Sequence, residues 1–158
     1  MPRRIVFVCT GNICRSPTAE GVLRRMAAVQ GLAGRIEVAS AGLEAWHLGS
    51  PPDARSQVHT LRRGYALATL RARHFTPLDF ERFDWVIAMD ASHHARLRRL
   101  CPPQHAQKLR RAADFSDCVP VGGVPDPYYG DAAGFDAVLD VVEAACEEVL
   151  MEVARVGE

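Results

Sequence analysis

A chain of 158 residues, 48% hydrophobic and 24% charged, is long enough to bury a core and is sized for one domain over 1–158. Its 19 basic and 19 acidic side chains cancel, which argues against nucleic-acid binding as its main business. No apolar run reaches the roughly eighteen residues of a membrane span, so no membrane partner is expected.

Arg3 and Arg4 precede a short strand, which does not read as a signal peptide. Lys108 is the only lysine among the basic residues. Five cysteines (Cys9, Cys14, Cys101, Cys118 and Cys146) make no small-scaffold disulfide framework and suit a reducing, cytoplasmic compartment.

In chain order, residues 3–9 read as a buried strand. A helix is expected over 17–30, with Ala19, Val22, Leu23 and Met26 on one face and Gly31 and Gly34 ending it. A second short strand covers 36–41, and Gly42 opens a loop through Trp46, His47 and Pro51-Pro52. Asp53 begins a helix to about Arg63, closed by Gly64. Pro77 suits the first position of a single helical turn. Residues 85–89 form the third strand, and a helix from Ser92 to Arg99 stops at Pro102-Pro103. A weaker fourth strand lies near 108–111, and a Gly/Pro loop spans 122–130. The last helix, from Ala132 to about Ala154, carries Phe135, Val138, Leu139, Val142, Cys146 and Val149 at helical spacing. Strands alternating with helices predict an α/β fold, a small four-stranded parallel sheet with helices on both faces.

The chemistry concentrates where the first strand ends. Cys9-Thr10-Gly11-Asn12-Ile13-Cys14-Arg15-Ser16-Pro17 is a loop opening a helix, with Pro17 suited to its first position. Such a junction turns backbone N–H groups and the positive end of a helix dipole toward one concave space, which suits an anion. Gly11 and Asn12 tolerate the left-handed backbone that turning those groups inward requires. Arg15 can hold two phosphate oxygens at once. The same surroundings favour a thiolate at Cys9, and only the thiolate is a nucleophile. Ser16 can add a hydroxyl hydrogen bond to the sulfur. No Gly-Lys-Ser/Thr follows, so this is not a nucleotide cradle.

Cys9 to Arg15 followed by Ser16-Pro17 resembles the signature loop of the low-molecular-weight protein tyrosine phosphatases. Ser40-Ala41-Gly42, Trp46-His47, Pro51-Pro52-Asp53, Arg71-Ala72-Arg73, Asp79-Phe80, Phe83-Asp84 and Ala88-Met89-Asp90 also resemble segments of that family. The resemblance implies a phosphomonoester hydrolase working through a cysteinyl-phosphate. Cys9, Arg15 and Asp126 would be catalytic, and Thr10, Gly11, Asn12, Ile13, Cys14, Arg15 and Ser16 would bind phosphate. By itself Asp126-Pro127 reads as an ordinary turn; by resemblance Asp126 is the general acid, and then the base, carried in a loop before the last helix. Tyr128 and Tyr129 would wall the cleft on one side and Trp46 on the other.

Cys14 reads either as a small buried thiol or, by resemblance, as a disulfide partner guarding Cys9. Ile13 resembles the tyrosine-specific branch, whereas a Thr stands there in related phosphoarginine phosphatases. Two departures concern how the loop is braced: Leu70 stands where many members have a His that tethers the loop Asn, and His93 where an Asn is frequent. The implied partner is a phosphotyrosine-containing protein or a small aryl phosphate, with no cofactor and no metal.

Other constellations are weaker. Cys101, His105 and Cys118 lack the spacing of a zinc site, and the arginines at 96, 98, 99, 110 and 111 read as a solvated basic face. A related arsenate reductase would need resolving cysteines around 78–88, where none occurs. A phosphate-binding module without turnover would have no use for Asp126.

Overall fold

The computed structural model describes residues 1–127 and 132–156. Four strands, β1 (Arg3–Cys9), β2 (Ile36–Gly42), β3 (Trp85–Ala88) and β4 (Leu109–Arg111), form one sheet in the order β2-β1-β3-β4. Every pairing is parallel, with Cys9 opposite Gly42 at one end of the β1–β2 ladder and Val8 opposite Ala88 in the β1–β3 ladder. The helices are α1 (Arg15–Val29), α2 (Ala54–Arg62), α3 (Asp79–Arg82), α4 (Ala91–Leu100) and α5 (Ala132–Val156).

The two-residue side-chain period of β1 divides the core. Ile5, Phe7 and Cys9 face a cluster that includes Val22 and Leu23 of α1 and Leu139, Val142 and Val149 of α5. Val6 and Val8 face the opposite cluster, with Phe80 of α3, Leu97 of α4 and Phe75. Both faces of the central strand are therefore covered, which is why it reads as an unbroken apolar run.

β1 connects to a neighbour on one side and β3 flanks it on the other, so the strand order reverses at β1. The crevice at the carboxyl ends of β1 and β3 is where open parallel sheets take ligands. Cys9 closes one of these strands, and Met89-Asp90 follows the other.

Several boundaries differ from expectation for local reasons. The first helix begins at Arg15, and Thr18 N already donates to Cys14 O at 3.2 Å. Pro17 is thus its third residue; no N–H in a first turn has an intrahelical acceptor, so proline fits there as well. Pro77 lies in a turn preceding α3, which Asp79 Oδ2 stabilises by accepting from Thr76 N at 2.9 Å. Asp90 caps α4 one residue earlier than expected, accepting from His93 N at 2.8 Å. Short 3-10 segments at Ala33–Arg35, Pro103–Lys108 and Ala112–Asp114 were not foreseen.

The basic residues of α4 and β4 do not act as one solvated face. Arg96 pairs with Glu44, Arg110 with Glu152 and Arg111 with Asp114. Among the described residues no helix is long and apolar enough to cross a membrane.

Candidate active site

The loop between β1 and α1 has its carbonyls engaged from outside. Thr10 O accepts from Glu44 N at 2.9 Å, Ile13 O from Asp53 N at 2.8 Å, and Cys14 O from Thr18 N at 3.2 Å. A trans peptide points the next N–H opposite to the carbonyl, so the amides of Gly11, Cys14 and Arg15 turn to the other side. That side is a cavity of about 170 Å³ lined by Cys9, Thr10, Gly11, Ile13, Cys14, Arg15, Trp46, His47 and Asp126. Inward amides at a helix N-terminus make an anion site.

The two turn residues play different parts. Asn12 takes the left-handed backbone, with φ of 59°, and Gly11 does not. What Gly11 supplies is space: a Cβ there would lie 2.9 Å from the ring of His47. Gly42, at the end of β2, is similarly obliged, since a Cβ would come within 2.9 Å of Thr10 O.

Asn12 is held on every side of its amide. Its Oδ1 accepts from Arg73 N at 2.9 Å, which fixes the orientation of the group. Its Nδ2 then donates to Ser16 Oγ at 2.8 Å and Ser40 Oγ at 2.9 Å. Ser40 passes its own hydrogen to Glu20 Oε1 at 2.7 Å, and Arg24 pairs with Glu20 Oε2 at 2.7 Å. Leu70 therefore does not leave Asn12 unsupported, because a backbone N–H and two serines hold it.

The same hydrogen accounting reaches the sulfur. Ser16 Oγ, having accepted from Asn12, has one hydrogen to give, with Cys9 Sγ 2.9 Å away and Ala41 O farther off at 3.5 Å. A donated hydrogen bond at that distance stabilises a thiolate.

Arg15, 5% exposed, is oriented from the neighbouring strand. One terminal nitrogen, Nη1, donates to Asp90 Oδ2 at 2.8 Å and to Val124 O at 3.1 Å. The other, Nη2, lies 3.3 Å from His93 Nε2 and 3.6 Å from Asp126 Oδ2. Burial works to raise the pKa of Asp90, but hydrogen bonds from His93 N, Ser92 and Arg15 outweigh it and hold the carboxyl below its ordinary range. Gly123, at φ of 111°, lets the late loop approach Asp90: a Cβ would come within 2.3 Å of Asp90 Cα. Val124 N then bonds Met89 O at 2.8 Å, which sets the chain leading to Asp126 beside the pocket.

Of the expected site residues, Cys9, Thr10, Gly11, Ile13, Cys14, Arg15, Trp46 and Asp126 line the cavity, while Asn12 and Ser16 brace it from beneath. Thr10 turns its hydroxyl away, to His93 Nε2 at 2.8 Å. Tyr128 and Tyr129 lie outside the described residues. Cys14 is buried, and burial pushes its thiol up to about 12 despite a hydrogen bond with Ser56. Cys101, His105 and Cys118 form no metal-holding group among the described residues.

Sequence reasoning assigned no part to Asp90, His47, Ser40 or Glu20. Asp90 had a usable signal, as a helix cap immediately after a strand at the carboxyl edge of the sheet. Ser40 and Glu20 had none, since only the fold brings them to Asn12.

A sulfur and a guanidinium facing one amide-lined pocket, on a parallel sheet and with a carboxylate at the mouth, define an enzyme that handles phosphate esters. The chain belongs to the family described as low molecular weight phosphotyrosine protein phosphatase, whose model matches residues 4–158. It is a phosphomonoester hydrolase of the protein tyrosine phosphatase class, and the family works through a cysteinyl-phosphate.

A low molecular weight protein-tyrosine-phosphatase of Streptomyces coelicolor is 44% identical over 156 residues, covering 97% of this chain and 94% of that one. The Bacillus subtilis relative YfkJ, also a low molecular weight protein-tyrosine-phosphatase, is 36% identical over 151 residues and 96% of each chain. Among solved structures, a protein tyrosine phosphatase from Entamoeba histolytica superposes with a TM-score of 0.93 at 35% identity, covering 99% of both chains.

Proposed function

We propose that Cys9 is the nucleophile, Arg15 and the loop amides from Gly11 to Ser16 the phosphate cradle, and Asp126 the general acid and base. The observation that carries this reading is the 2.9 Å contact between Cys9 Sγ and the Ser16 hydroxyl, whose hydrogen a thiolate would accept, in a pocket lined also by Arg15 and Asp126.

The thiolate attacks phosphorus in line with the ester oxygen, which leaves as Asp126 hands it a proton. Charge on the equatorial oxygens meets the Arg15 fork and the inward amides. In the second half Asp126 takes a proton from water, the water attacks the phosphocysteine, and sulfur departs as a thiolate received by Ser16. The fixed positive field of Arg15 and the loop amides supports both steps.

Trp46, 71% exposed at the rim, suits an aromatic leaving group, which it can flank as the substrate enters. Tyr128 and Tyr129 belong to the same proposal from their place in the sequence after Asp126. The substrate class is a phosphotyrosine-containing protein or a small aryl phosphate, met in the cytoplasm by a single phosphatase domain. Cys14 would close a disulfide on a Cys9 oxidised by a peroxide to the sulfenic acid, its thiol giving up its proton as it attacks and the sulfenic oxygen leaving as water.

The experiment is Cys9→Ser. It should abolish turnover of an aryl phosphate while phosphate or vanadate still binds. Residual turnover near wild type would remove Cys9 as nucleophile.

A further inference from the structure

We propose that His93 is a positioning residue for phosphate binding: its Nε2 lone pair ties together the two ends of the loop, the Thr10 hydroxyl and the Arg15 guanidinium, so that the fork is set before the anion arrives. The inference rests on the reading of the Cys9–Arg15 loop as the phosphate site, and goes beyond it in giving α4 a part in the geometry of that loop.

The argument is one of donors and acceptors. Arginine has only donors, so an imidazole nitrogen 3.3 Å from Arg15 Nη2 can bond to it only as an acceptor. That requires Nε2 to be unprotonated. Thr10 Oγ1, 2.8 Å from the same nitrogen, must then donate as well. One lone pair thus receives a hydrogen from each end of the loop. The ring proton is left on Nδ1, which lies 3.2 Å from Asp90 Oδ1 but out of line for a hydrogen bond. Carboxylate, imidazole and guanidinium follow one another in an order that suits this tautomer. An Nε2–H could donate to Thr10 Oγ1 but would leave the Nδ1 lone pair facing Asp90 Oδ1 at 3.2 Å and give Arg15 Nη2 no acceptor there, and an imidazolium would place two like charges 3.3 Å apart.

The surroundings keep the ring in that state. His93 is 1% exposed. The charged groups facing it are Arg15 from α1, Asp90 and Arg96 from the start and middle of α4, and Asp126 from the late loop. Burial first, and Arg15 next, push its pKa from 6.5 down to about 4, so the ring is neutral across the range in which phosphate is handled.

The consequence for the anion follows from counting hydrogens on Arg15. Its guanidinium has five. Two on Nη1 go to Asp90 and Val124, and one on Nη2 goes to His93. The Nε hydrogen and the second Nη2 hydrogen remain for the pocket that Arg15 lines, where Asp126 Oδ2 lies 3.6 Å from Nη2, and theirs is the edge a phosphate takes bidentately. Asp90 and Val124 O both grip the Nη1 corner of the fork. His93 supplies a second corner, and through Thr10 it locks that corner to the strand carrying Cys9.

The test compares an acceptor with a non-acceptor of similar size. In full-length His93→Leu, the inhibition constant for inorganic phosphate should rise about tenfold, the size of one hydrogen bond to a charged group. In His93→Gln, whose amide oxygen can take the place of Nε2, it should stay within about threefold of wild type. Equal losses in Leu and Gln, with phosphate still inhibiting wild type, would reduce His93 to packing and overturn the proposal alone. A wild type that phosphate does not inhibit would sink the loop reading and this proposal together.

A second measurement needs no variant and no ligand. Long-range proton–nitrogen correlations on the wild-type imidazole should show His93 protonated at Nδ1 only near pH 7. A proton on Nε2, alone or in an imidazolium, contradicts the proposal even if neither variant folds.

Discussion

Ser16 Oγ stands 2.9 Å from Cys9 Sγ, and toward a thiolate, which carries no hydrogen, it can only donate. The contact matters most when sulfur leaves the phosphocysteine. Ser16→Ala should therefore slow the second half-reaction more than the first, lowering kcat by about tenfold or more. Rapid-quench kinetics would show a burst of released phenol followed by a slower steady state. An unchanged kcat with no burst would mean that the hydroxyl does not serve the thiolate.

Asp126 sits at the pocket mouth, 3.6 Å from Arg15 Nη2 and half-exposed. As the proposed acid it would be needed most when the departing oxygen is basic. Asp126→Asn should cost about 10²–10⁴-fold in kcat/KM on alkyl or unactivated aryl phosphates, and far less on nitrophenyl phosphate. A leaving-group series gives the answer directly. Equal losses across the series would assign the proton to another group.

Ile13 lines the cavity beside Cys9 and Trp46. Its branched apolar side chain suits a flat aromatic ring above the phosphate. Ile13→Thr should shift the ratio of kcat/KM values toward phosphoarginine and away from phosphotyrosine peptides. A ratio that does not move would place the selectivity elsewhere on the rim.

His93 also makes stability depend on pH. The unfolded imidazole binds a proton as pH falls below 6.5, whereas the folded one, buried and facing Arg15, Asp90, Arg96 and Asp126, does so only near 4. The unfolded chain thus holds more protons in that window, so stability drops as pH falls from 6.5 toward 4, by up to about 3 kcal/mol. Urea midpoints at pH 7 and pH 4.5 should separate further in wild type than in His93→Asn. Parallel losses would show that carboxylates alone carry the acid sensitivity.

Much of this molecule was legible where its chemistry is local in the chain. The span from Cys9 to Ser16 supplies sulfur, cradle and cation within one strand–loop–helix junction, and the unbroken apolar run of β1 announced a strand covered on both faces. What escaped depends on contacts the sequence does not display. Asp90 lies 75 residues from the arginine it orients, and Ser40 lies 28 from the asparagine it braces. The consequence of Leu70 escaped for the same reason, since the backbone N–H of Arg73 that holds Asn12 leaves no mark in residue type. Gly11 was read as a conformational residue, but its neighbour Asn12 takes the unusual φ and Gly11 makes room for His47.

The central claim is that phosphorus passes through sulfur at position 9. Asp126→Asn, slowed in hydrolysing the intermediate, can be mixed with an activated aryl phosphate, quenched in acid within its first turnover, digested and weighed. A single phosphoryl group on the peptide containing Cys9 is the predicted result. Phosphoryl on any other residue, or none while the phenol burst is complete, would contradict the account.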